Sequence, residues 1–343
     1  MKGNKKKKVT RRVVSKKRQR KSHIVSLLIL LLFTALSLSF TSYAWFTTNR
    51  LVKVELLDVS VRAQGGIEIS VDGLNFKGEV SLDDIKNARV TYPRSVNQLP
   101  KTLEQVSSSG EVEQGKLKIF SGTAVNDLGG NYILSTERSV EEESFEEGNG
   151  KFIAFDLFLR TSMPSQLYLT PESVITYGGE NSVGIENAVR VAFIDEGTVS
   201  AGSRIEAIQG LSTNSNGDVH IWEPNYNSHT AYGIENARLV YGIETYSGGN
   251  IINYDGVMKE FERRVGITPN EANSQKYPDY FKRVNVEYYT ENDFDYNVEL
   301  FNIESGITKY RIYMWIEGQD VDCENNASSG NISLNLQFST NPS

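Results

Sequence analysis

Lys151-Phe-Ile-Ala-Phe-Asp-Leu-Phe-Leu-Arg160 is the stretch on which the reading of the fold turns. It is nearly continuous in apolar residues and rich in aromatics, and charged residues close it at both ends. A run of that length and composition is expected of a central sandwich strand. At the far end of the chain, Ile332-Ser-Leu-Asn-Leu-Gln-Phe338 alternates apolar and polar side chains, the period of a strand with one face in a core. Near the start of the body the same period appears in Val52, Val54 and Leu56, then Val59 and Val61, then Ile67, Ile69 and Val71. Gly65-Gly66 and Asp72-Gly73 supply the turns between these runs.

Outward from these three stretches, more strands are expected at 189–193, 205–208, 286–289, 296–301 and 310–316. Ser81-Leu-Asp-Asp84 reads as a capped helical turn, with Ser81 as N-cap. Residues 97–116 are polar, contain Pro100 and Ser107-Ser108-Ser109-Gly110, and read as a loop or weak hairpin. One amphipathic helix is expected at Gly256–Val265, with Val257, Phe261 and Val265 on one face. Many strands and few helices predict a mostly β fold, an antiparallel sandwich of jelly-roll type. The 47–343 body is long enough for one decorated sandwich or two in tandem with a boundary near 140–150.

The charge is divided unevenly. Residues 1–23 hold 12 of the 36 Lys and Arg and no acid, leaving 24 basic residues against 43 acidic ones in the rest. Such an acidic body repels phosphate, so nucleic acid is excluded as a partner. Residues 24–46, Ile24 to Phe46, then run for 23 positions without a charge. As a helix this spans about 34 Å, enough for the ~30 Å hydrocarbon core. The basic block before it keeps 1–23 in the cytoplasm and sends the body across the membrane, to the cell surface or the extracellular space. Ser42-Tyr43-Ala44 places small residues where a signal peptidase needs them, so cleavage falls between Ala44 and Trp45. Retention as a single-pass anchor is the other reading, because the basic and apolar regions are both long for a signal peptide.

The junction Thr41-Ser-Tyr-Ala-Trp-Phe-Thr47 resembles the leader end of Gram-positive surface and matrix proteins processed by a SipW-type signal peptidase, the TasA and camelysin group. About ten residues carry the likeness, and the long basic block departs from it. Tyr310-Arg-Ile-Tyr-Met-Trp-Ile-Glu-Gly-Gln-Asp-Val-Asp-Cys323 is similar to a segment of uncharacterised surface proteins with that kind of leader. The resemblance implies export, a biofilm-matrix or surface role and self-association into fibres.

The chemistry-bearing residues are few. Cys323 is the single cysteine, so no internal disulfide forms, and no histidine or basic residue adjoins it in sequence to activate a thiolate. His220 and His229 lie in a polar, Asn-rich stretch and are expected in exposed loops; with Glu223 they are a weak candidate for zinc. No HExxH, nucleophile elbow or phosphate loop occurs, so no enzyme is indicated. Asp320, Asp322 and Glu324 alternate along a turn and are the candidate calcium ligands, with a solvated acidic turn as the plainer reading. Gly184-Ile-Glu-Asn-Ala188 recurs as Gly233-Ile-Glu-Asn-Ala237, read as a reused turn entering equivalent strands or as paired binding loops. Strand addition by Trp45 to Ala63 offers a route to fibres. The alternative function is a membrane-anchored binding module, an adhesin or wall-glycan receptor, with Trp222, Tyr226, Tyr277, Tyr280, Tyr288 and Tyr289 as aromatic contacts.

Overall fold

The computed structural model describes residues 53–126, 132–140, 148–179, 182–213, 219–226, 228–241, 252–263, 267, 272–288, 297–323 and 330–341. The basic block 1–23, the apolar run 24–46 and the Ala44–Trp45 junction lie outside them, as do Glu324 and Tyr289. The chain divides into compact units Met1–Tyr43 and Ala44–Ser343, and all described residues belong to the second. Among them no helix is long and apolar enough to cross a membrane.

Nine strands carry the architecture: β1 Lys53–Ala63, β2 Ile153–Thr161, β3 Ser165–Leu169, β4 Val174–Tyr177, β5 Val189–Val199, β6 Val219–Trp222, β7 Val298–Ile303, β8 Gly306–Ile316 and β9 Asn331–Ser339. One sheet runs Thr102–Glu104, β1, β9, β3, β7, with Glu79–Ser81 also on β1 and β4 also on β9. The other runs β6, β5, β8, β2 and Glu68–Ser70, all antiparallel. The β1–β9 pair runs in the other direction, as does the short pairing of Asn149–Gly150 with Thr102–Glu104. It is parallel from Glu55↔Asn331 to Ala63↔Phe338 and joins the first described strand to the last.

The strand period explains the layers. In β2, Ile153, Phe155, Leu157 and Leu159 enter a core shared with Val59, Val61, Leu334, Leu336 and Phe338 of the first sheet. Phe152 and Ala154 face the other way and pack with Val106, Leu117, Tyr254 and Trp315, and Phe158 meets Tyr92 and Ile208. The second sheet is therefore covered on both faces, which accounts for the nearly continuous apolar run of β2. Each large side chain fully buried there contributes about 1.5–3 kcal/mol. Strands on either side of 140–150 share both sheets, since β1 pairs with β9 and Ser70 is opposite Phe158.

The capping box at Ser81 forms: Ser81 Oγ accepts from Asp84 N at 3.3 Å, and Asp84 Oδ2 accepts from Ser81 N at 2.8 Å, opening helix α1, Leu82–Asn87. Three expectations need correction. The described part of Gly256–Val265, residues 256–263, is no helix, because its amides find partners elsewhere: Asp255–Val257 pairs with Phe281–Arg283, and Phe261–Arg263 with Tyr132–Ser139. The four-residue apolar spacing survives, since Val257 and Phe261 reach one core from two short strands. Residues 205–208 form helix α2, Ile205–Gln209, rather than a strand, placing Ile208 beside Phe158 and Tyr92. In place of the strand expected at 286–289, the described residues 286–288 make one bridge, Glu287 to Trp222. The weak-hairpin reading of 97–116 is met by Val112–Glu113/Lys116–Leu117, turned by Gln114 and Gly115 at φ 53° and 74°, while Ser107, Ser108 and Ser109 of the same stretch are buried.

Candidate functional site

Beyond the end of the second sheet, on the face opposite the sandwich core, lies a buried cluster of charged groups. Arg190 follows Val189 at the start of β5; the neighbour enters the core, so alternation directs Arg190 to the other face. Glu223 ends the strand that carries Trp222, held by Glu223 N donating to Glu287 O at 2.9 Å. Glu317, Asp320 and Asp322 occupy the turns that follow β8. His229 and Thr230 precede helix α3, Ala231–Asn236, whose N-cap Thr230 accepts from Gly233 N at 2.9 Å.

Arg190 is wholly buried and joins two carboxylates: Nη2 lies 2.7 Å from Asp320 Oδ2 and 2.8 Å from Glu223 Oε1. The contact to Glu223 is close but poorly aligned, and neither Glu223 oxygen has a hydrogen bond. Arg190 Nη1 donates to the carbonyls of Asn187 and Val189, and its guanidinium lies 4.9 Å from the Tyr254 ring centre. Asp322 is fully engaged. It accepts from Thr230 Oγ1 at 2.6 Å, Asn187 Nδ2 at 2.9 Å and Thr230 N at 3.2 Å, and pairs with His229 Nδ1 at 3.0 Å. Glu317 accepts from Trp315 Nε1 and Gln319 N, each at 2.9 Å.

Burial acts on Glu317, Glu223 and His229. It pushes the Glu317 carboxyl up to about 7 against the donors that hold it. It pushes Glu223 upward as well, with Arg190 opposing. For His229 burial pulls downward, but the charges of Asp320, Asp322 and Glu223 and the hydrogen bond to Asp322 outweigh it and raise the imidazole to about 9. One ring nitrogen of His229, one oxygen of Glu223 and one of Asp320 lie within 4.8 Å of one another, all on buried residues. This group can hold a small cation or protons; it is closed to a substrate.

The structure redistributes the residues expected from sequence. Asp320 and Asp322 are buried, not on a solvated turn, and they face different partners. His229 is buried rather than in an exposed loop. His220 stands apart from Glu223 and His229: its Nδ1 is 3.3 Å from Glu287 Oε1, and its ring meets Phe301 edge-on at 4.5 Å. Asp320 takes the third place, and Arg190 had no local signal, lying 130 residues from Asp320. The repeated pentapeptides do not enter equivalent strands. The first is a 3-10 turn, Ile185–Ala188, leading to β5; the second ends α3 and continues as the π-helical Ala237–Tyr241. Both nevertheless abut one carboxylate, since Gly184 and Gly233 each leave no room for a Cβ beside Thr230 and Asp322.

The proposed aromatic contacts are mostly used internally. Trp222 is buried, Tyr226 stacks on Tyr288 at 3.8 Å, and Tyr277 and Tyr280 flank the Arg263 guanidinium at 4.0 and 5.3 Å. Cys323 is buried with the core. No protein-family model matches the chain, and no curated protein matches it in sequence.

Proposed function

We propose that this chain is an exported cell-surface or extracellular-matrix structural protein, without catalytic activity, that self-associates by strand addition. The observation that carries the reading is the position of β1. It is the first described strand after the apolar segment 24–46, and it fills a slot between β9 on one side and Glu79–Ser81 and Thr102–Glu104 on the other. Val54, Val59 and Val61 are fully buried there, and Gln64-Gly65-Gly66 connects the strand to the remainder. In the single chain β1 fills its own slot. The same strand from a second copy offers identical hydrogen bonds and side chains, so exchange costs little and propagates. Release by signal peptidase between Ala44 and Trp45 would free this end. The acidic body suits an extracellular setting and disfavours nucleic acid.

A second reading, a membrane-anchored binding module, draws on the short connection 47–52 between Phe46 and β1. With the apolar segment retained in the membrane, it would tether the body to the cell surface.

The test uses the register Ser60↔Asn335 across β1 and β9. Both side chains are part-exposed, and neighbouring strands bring the pair within disulfide range. Ser60→Cys with Asn335→Cys, expressed as the full chain and oxidised on cells, should give a ladder of covalent multimers together with a mature N-terminus at Trp45. Exclusive formation of an internally bridged monomer would reject strand exchange. An uncleaved leader in the membrane fraction would move the assignment to the anchored module.

A further inference from the structure

We propose that Glu223, His229 and Asp320 form a binding site for one divalent transition-metal ion, of the zinc or manganese kind. The inference is independent of strand exchange and concerns what completes the buried cluster.

The first ground is the set of unused atoms. Arg190 Nη2 engages one oxygen from each of two carboxylates, Glu223 Oε1 and Asp320 Oδ2. Among the described residues, the other oxygen of Glu223 has no hydrogen-bond partner, although the side chain is wholly buried. Asp320 Oδ1 accepts a short bond from Asp322 N at 2.8 Å and faces His229 Nδ1 at 3.8 Å. His229 Nε2 has no partner among the described residues either. Leaving such groups unsatisfied costs about 1–3 kcal/mol each, which makes them informative in a closed interior.

The second ground is charge. Glu223, Glu317, Asp320 and Asp322 are four buried carboxylates, and of the described basic residues Arg190 and His229 stand among them. Buried charge is retained when it is paired or coordinates a metal, and a dication supplies what this set lacks.

The third ground is the support behind the histidine. Asp322 accepts from His229 Nδ1 and is itself fixed by Asn187 and both polar groups of Thr230. A carboxylate holding one ring nitrogen of a histidine is the usual outer partner of a metal-binding imidazole. One imidazole and two carboxylates suit zinc or manganese; calcium prefers six or more oxygens. Ligands stand about 2.0–2.2 Å from such an ion, so binding draws the three side chains inward from their present separation.

The experiment uses the full chain, purified in detergent from medium supplied with zinc and manganese. Elemental analysis after gel filtration should give one metal ion per chain. Chelator-treated protein should show a raised unfolding midpoint on adding Zn²⁺ or Mn²⁺ but not Ca²⁺, and Co²⁺ should give the visible absorption of a nitrogen- and oxygen-bound ion. Asp322→Asn should weaken the metal by about 10–100-fold. Two results would overturn the proposal. One is no stoichiometric metal with no shift of the midpoint in the wild-type chain. The other is a folded Glu223→Gln variant that keeps its full metal load. Should a variant fail to fold, the wild-type titration decides alone.

Discussion

His229 and Asp322 are 93 residues apart in sequence, yet His229 Nδ1 lies 3.0 Å from Asp322 Oδ2, and both side chains are shut away from solvent. The pair fastens the segment before α3 to the turn after β8. Asp322→Ala removes the acceptor for His229, Thr230 and Asn187 at once and leaves a buried imidazole uncompensated. The expected loss is about 3–5 kcal/mol in urea unfolding. Asp322→Asn keeps the shape and should cost about 1–3 kcal/mol. Hydrogen exchange should quicken in 229–237 before it does in β2 or β8. Equal protection in all three would mean that the contact does not hold the segment.

The two repeated pentapeptides predict a coupled pair of mutations. A Cβ on Gly184 would collide with the Thr230 methyl, and Gly184 sits at φ 86°, where an L side chain is strained. A Cβ on Gly233 would collide with Asp322 Oδ1. Gly184→Ala and Gly233→Ala should each destabilise by about 1–3 kcal/mol. Together they should cost less than their sum, because each displaces the same Thr230–Asp322 contact. Strict additivity in thermal unfolding would place the two glycines in separate environments.

The core was more legible in the sequence than the site, for a physical reason. β2 and β9 announce themselves through local periodicity, and the Ser81 capping box through contacts three residues apart. The turn signal Gly65-Gly66 is local too, both glycines standing at positive φ. The cluster depends instead on which strand ends the topology brings together: Arg190 with Asp320, Glu223 near His229, Glu317 beneath Trp315. Nothing within a dozen residues of Arg190 encodes that meeting. The alternating acids at 320 and 322 were visible but suggested a solvated turn, since burial of a carboxylate depends on partners elsewhere in the chain. The helix expected at Gly256–Val265 failed in the same way. Its spacing fitted a helical face, but Val257 N donates to Ser107 Oγ and Phe261 N to Thr136 Oγ1, so distant segments take the amides that a helix would have used.

Asp72 predicts a feature of acid unfolding. Burial raises its carboxyl, but the amides of Leu74 and Asn75, both at 2.9 Å, and the hydroxyls of Thr91 and Ser70, both at 2.7 Å, outweigh burial and hold it well below the usual range. A depressed folded value means stability that is complete above the unfolded value, about 3.9, and is lost as pH falls below it. Asp72→Asn lacks the titrating group. Its urea midpoint should therefore fall less steeply than that of the wild type between about pH 5 and pH 2. Parallel curves would assign the acid limb to other carboxylates.

The second buried charge network sits further along the outer face of β2 and β8, and it carries the largest single-site effect expected outside the cluster. Asp156 Oδ1 receives Arg311 Nε at 3.0 Å, while Oδ2 receives Val96 N at 3.2 Å and faces Lys309 Nζ at 3.5 Å. Lys309 also donates to Tyr92 Oη at 3.1 Å and to Leu211 O at 3.0 Å, so its ammonium is fixed even where burial pulls its proton affinity down. Asp156→Ala strips the carboxylate from two buried cations and should cost about 3–5 kcal/mol, whereas Lys309→Met exchanges one cation for a side chain of similar length. The variant carrying both changes should be more stable than Asp156→Ala alone, because one stranded charge has gone. Its interaction free energy should be at least about 0.5 kcal/mol, the lower bound for contacting residues. A double variant no more stable than Asp156→Ala would mean that Lys309 reaches solvent once its partner is removed, and that Arg311 alone bears the penalty.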